Sequence, residues 1–154
     1  MAITSCLTNS FKTELLKGLH SFDTSGATPA GSVFKIALYN SSADLGTTTT
    51  AYTTTEELAT ATGYTRPGAA LTNTGVAKST TTSYTDFSDV SWTSASFTAR
   101  GCMIYNSSTI SGLTTDASVA IIDFGGDKTV SSGTFTIQFP TNDSSDAIIR
   151  ITSS

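Results

Sequence analysis

Apolar positions along this chain follow two periods. Near its start Phe11, Leu15, Leu19 and Phe22 recur at i, i+4, i+8 and i+11, one face of a helix. Ser10 or Asn9 stands where a cap belongs, Glu14 complements the helix dipole, and Gly18 is placed to end the run. So short a helix needs tertiary contacts to persist. Residues 21–32, with Gly26, Pro29 and Gly31, read as a linker. From Phe34 the period becomes two. Phe34, Ile36 and Leu38 alternate with Lys35, Ala37 and Tyr39, the pattern of a half-buried strand.

Residues 40–62 are polar and carry two threonine runs. A connection of that length inside a compact domain is either functional or conceals an element. Gly63-Tyr64 restarts the order, Pro67-Gly68 signals a turn, and residues 71–78 predict one short strand. Strands are also predicted over 84–92, 97–105, 119–124 and 135–139. Gly101 marks a bulge or a close backbone approach, and the apolar run at 119–124 reads as a central strand. Gly125-Gly126-Asp127-Lys128 reads as a loop, and Pro140 stops the strand before it. Residues 142–146 turn, and 148–151 close the chain. Short strands without alternating helices predict a mainly-β fold. The expected form is an antiparallel β-sandwich, immunoglobulin-like or jelly-roll, with a short N-terminal helix. Residues 1–32 then form an arm, helix and linker, and 33–154 the sandwich domain.

Composition narrows the function. At 154 residues the chain makes one domain with room for a full core. Charged residues are 13%, about half the usual share. Their place is taken by 31 Thr and 23 Ser. Threonine suits strands because its branched Cβ fits a pleated surface. The net charge is −4 and no Lys/Arg run exists, which argues against a nucleic-acid partner and against anionic membranes. No apolar run is long enough to cross a bilayer. The first seven residues lack a basic stretch followed by an apolar one, so synthesis in a cytoplasm is expected. Cys6 and Cys102 are then two unpaired thiols, and the three Asn-X-Ser matches at Asn40, Asn106 and Asn142 are incidental.

Candidate chemistry is sparse. His20 is the one histidine, and most triads and transition-metal sites need more. Its position just after the helix suits a surface or packing role better. Glu56-Glu57 reads as a solvated loop pair, because neighbours on an extended chain face opposite ways. Asp123-Phe124-Gly125 lacks the other kinase elements. Asp116, Asp123 and Asp127 offer oxygens to calcium, but not at EF-hand spacing. Trp92 in a strand run reads as core more readily than as a sugar platform. No cofactor and no catalytic residue is expected, so the chain reads as a non-enzyme.

Eight segments taken together resemble a family of small virion structural proteins from tailed bacteriophages and prophages. They are FKIALY at Phe34, TAYT at Thr50, GYT at Gly63, TARG at Thr98, IYN at Ile104, DFGGDK at Asp123, FTIQFP at Phe135 and AIIR at Ala147. The resemblance runs from Phe11 to Ile151 and rests on the order and spacing of these segments. It implies a virion component without enzymatic activity: a capsid decoration (cement) protein, or a tail, collar or fibre part. The implied partners are the major capsid protein and other copies of the chain as a dimer or trimer. Arg66-Pro67 and the connections at 21–32 and 108–118 depart from the family pattern. Six residues are interface candidates: Ile3, Leu7, Phe11, Tyr52, Arg66 and Arg100. Ile3 and Leu7 lie in an arm without an obvious local partner, so the arm is expected to order only on a capsid or a neighbouring subunit.

Overall fold

The computed structural model describes residues 2–25, 31–61 and 63–153. Part of the predicted linker, residues 26–30, lies outside them. The fold is mainly β, with antiparallel sheets and one short helix, as the periodicity predicted. A short strand β1 (Cys6–Leu7) leads into α1 (Asn9–Leu16). Thr8, not Ser10 or Asn9, is the N-cap, and its hydroxyl accepts the Phe11 N–H. Gly18 ends the helix as expected. With φ at 72°, it lets its own N–H reach the Leu15 carbonyl and the Leu19 N–H reach Glu14. Leu19 and Phe22 therefore lie beyond the helix, although they keep its apolar spacing.

Strand β2 (Phe34–Tyr39) follows the linker, and β3 (Ala69–Leu71) pairs with it. The single strand expected over 71–78 is two. β3 belongs to the larger sheet, whereas β4 (Asn73–Ser79) pairs with β5 (Thr82–Phe87) in a second one. The run expected over 84–92 also divides. Ser88 donates its N–H to the Thr72 carbonyl, and β6 (Val90–Asn106) begins after it. β7 (Ala117–Ile137) then returns along the whole of β6, and β8 (Ile149–Thr152) closes the small sheet against β5. The order is β1-β7-β6-β2-β3 in the large sheet and β4-β5-β8 in the small one.

The predicted loop at 125–128 does not end a strand. Asp123 pairs with Gly101 and Lys128 with Ala99, so residues 124–127 stand opposite Arg100 alone as an expanded bulge. Phe139 lies past the end of β7, its N–H held by the Asp89 carboxylate.

Register sorts the core. Ile36 pairs with Ile104 and Ile104 with Ala120, and these face the main core, where Phe11, Phe22, Phe87 and Ile149 meet them. Ala37 pairs with Met103 and Met103 with Ile121, on the opposite face. That face is buried too, so β2 is not the half-buried strand its alternation predicts. Ile3, Ala43 and Leu45 cover it. The arm is thus ordered by its own chain. Thr4 donates to the Leu45 carbonyl, β1 pairs with Ala120–Ile121, and Ser5 Oγ accepts the Asp123 N–H. Gly101 is the close approach predicted for it: a Cβ there would lie 2.9 Å from Ile3 Cδ1 and 2.5 Å from the Ile122 carbonyl oxygen.

Candidate assembly surface

Past the bulge the β6–β7 ribbon is covered on one face only. Its outer face carries hydroxyls. Ser91 and Thr136 bond at 2.8 Å across the strands, as do Thr98 and Thr129. Its inner face alternates Phe135 and Ile137, with Phe139 following, all half-buried. Phe124 joins them because the bulge breaks the alternation beside it. Phe135 is the hub, with ring centroids 5.1 Å from Phe97, 6.1 Å from Trp92 and 6.2 Å from Phe124. Phe124, Phe135, Ile137 and Phe139, with Ile122 and Ile148, line an open groove of about 650 Å³. Asp123 and Lys128 stand at its margin. Arg100 Nε donates to Asp123 Oδ1 at 2.8 Å and holds that carboxyl below its usual range, with help from the Gly125 N–H.

The six interface candidates fall in three places. Ile3 and Phe11 are corrections: 5% and 1% exposed, they are core residues of this chain and offer nothing to a partner. Leu7, in β1, packs half-buried against the same core. Arg100 lies near the groove through its ion pair with Asp123, which is one of the lining residues. Tyr52 and Arg66 converge on Glu57, which was read as a solvated loop residue. Glu57 is 2% exposed, and its carboxylate accepts the Tyr52 hydroxyl at 2.6 Å and the Tyr64 hydroxyl at 2.7 Å. Arg66 Nε lies 3.3 Å from it and donates to the Leu58 carbonyl, and a second Arg66 nitrogen donates to the Glu57 carbonyl. Burial first, then the Glu57 carboxylate, pushes the Tyr52 phenol well up. This clasp fastens residues 40–61 of the long connection over the second face. Tyr52 also stacks on Tyr105, with centroids 4.8 Å apart.

Sequence reasoning named the groove residues but gave them no role. In the sequence Phe124 stands inside an Asp-Phe-Gly triplet, and the alternation of Phe135, Ile137 and Phe139 indicates a strand and nothing more. The available signal was an apolar row that continues beyond the strand-ending Pro140 into Ile148. Trp92 is core, as read. Among the described residues no group of three His, Cys, Asp or Glu side chains is placed to hold a metal ion. No helix there is long and apolar enough to cross a membrane. No family model, curated protein or solved structure matches the chain.

Proposed function

We propose that this chain is a non-enzymatic structural protein that works by assembly, and that the groove along the distal ribbon is where it docks. One contrast carries the reading. The groups with chemistry to offer are occupied inside the fold. His20, Glu57 and Asp86 are buried in internal hydrogen bonds, and burial pushes the Cys102 thiol upward. The apolar groove, by contrast, faces outward. Interfaces favour this composition, aromatic at the centre and poor in charge.

The segment resemblance supports a tailed-phage virion as that assembly. The first choice is capsid decoration, with the major capsid protein and other copies as partners. A tail, collar or fibre part is the second reading, supported by the same resemblance. The test is the copy number of the chain in purified virions, by quantitative mass spectrometry against the major capsid protein. On the order of hundreds per particle is expected, since the head lattice alone repeats a site so often. A few to a few dozen copies would shift the reading to the tail. Absence from virions would overturn it.

A further inference from the structure

The chain's one histidine occupies a closed cluster that the assembly reading leaves unused. The His20 side chain is fully buried between α1, the end of β6 and the 107–116 connection. Its Nε2 lies 3.1 Å from Glu14 Oε2, and its Nδ1 lies 3.1 Å from Asn106 Nδ2. The other Glu14 oxygen accepts the Thr114 hydroxyl at 2.8 Å, and Asn106 Oδ1 accepts the Ser108 N–H at 2.9 Å. The Phe11 ring packs edge-on against the imidazole, centroids 4.9 Å apart.

These partners fix every proton. Because Asn106 Oδ1 is held by Ser108, its amide nitrogen must face His20. Nδ1 is therefore the bare acceptor, and Nε2–H donates to Glu14. A second proton would go onto Nδ1, where it would meet an N–H instead of a lone pair. The ring cannot turn away without breaking the Glu14 bond. We infer that Glu14, His20, Asn106 and Thr114 form an acid-sensitive latch, and that protonating His20 releases α1 and the 107–116 connection from the sheet.

Electrostatics agrees in direction. Burial lowers the His20 pKa, and the Glu14 hydrogen bond and charge offset only part of that. The titratable groups around the ring are Glu14 from α1, then Asp23 and Tyr84, which line the same groove as His20. β6 brings the neutral Asn106 and the connection brings Thr114, while Asp116 at the connection's end lies toward Tyr52. The released state takes its proton at about 6.5, the latched state only at lower pH. Between those values the released state binds more protons, so the latch is fully closed above about pH 6.5 and weakens as pH falls. Asp86 titrates the other way: burial raises it, so acid favours its folded environment.

The test uses the isolated full chain, so it stands apart from the virion reading. Because there is one histidine, a single imidazole resonance reports its titration. Its midpoint is expected below about 6.5. Protection factors in residues 9–16 and 107–116, taken against the intrinsic exchange rate at each pH, are expected to fall between neutral pH and the midpoint, about tenfold per unit of depression, while those of β2 stay high. His20→Gln keeps a donor and an acceptor without titrating, and its protection factors should be alike at both ends of that range. Asn106→Asp replaces the opposing N–H with an acceptor, so the midpoint should rise and the acid release vanish. A wild-type midpoint at or above 6.5 would overturn the latch. So would an unchanged acid response in His20→Gln. Should that variant fail to fold, the wild-type and Asn106→Asp midpoints decide alone.

Discussion

The β6–β7 ribbon is one pair of strands in two environments. From Gly101 to Asn106, against 117–123, both faces are covered: one by the small sheet and α1, the other by the arm and the clasped connection. From Val90 to Ala99, against 128–137, one face meets the core at a half-open row and the other is water-facing hydroxyls. Residue types track this only partly. Ile104 and Met103 have no exposed surface. Ile137 and Phe135 are just as apolar, yet half-exposed. Burial along a strand is set by what lies above and below it, and the expanded bulge opposite Arg100 is where the cover changes.

Substitutions should separate the two halves by urea denaturation. Ile104→Ala, in the covered half, leaves a cavity between the sheets and should cost about 4 kcal/mol. Glu57→Ala should come next, at about 3 kcal/mol. It strands the Tyr52 and Tyr64 hydroxyls and unfastens the cover of the second face without touching β6 or β7. If that cost were negligible, the connection would not be what buries the proximal half. Phe135→Ala, in the open half, should cost only about 1.5 kcal/mol, because its ring is already partly in water. The same change should weaken docking to virions about thirtyfold, read as the fraction bound after mixing. A stability loss as large as that of Ile104→Ala would make the groove ordinary core and remove it as a docking surface. The double change Thr98→Val with Thr129→Val should move stability by less than about 0.5 kcal/mol, since water replaces an exposed hydroxyl pair. A larger effect would mean that the outer face helps hold the ribbon's shape.

Much of this was legible in the sequence, and the misses have local causes. Period-two runs located β2 and the far end of β7, a continuous apolar run marked the near end of β7, and the proximal part of β6 was legible as a strand. Gly18 and Gly101 were read correctly because each answers to a backbone demand. Thr8 was missed as the cap because Ser10 and Asn9 are equally good capping types, and only the chain path selects among neighbours. The ribbon was cut in two because Gly-Gly-Asp marks a turn in most contexts. Here β6 stays paired on both sides of it, so the extra residues fold out as a bulge. Glu57 looked solvated because nothing local reveals two phenols and a guanidinium arriving from positions 52, 64 and 66. Ile3 and Leu7 looked unpartnered because Ile3 packs at Gly101 and Leu7 pairs with Ala120, both far along the chain.

By itself, then, the sequence determined the class. Alternating apolar residues, abundant threonine and isolated turn residues leave a layered antiparallel β fold with one docked helix, because pattern and propensity act over neighbouring residues. The tertiary structure alone decided which strands share a sheet, which face each covers, and which apolar residues remain in reach of a partner. It also brought His20, Asn106 and Glu14, three positions with separate local readings, into one closed cluster. Those outcomes depend on pairing and covering between segments far apart in the chain. No residue's own chemistry specifies a partner a hundred positions away.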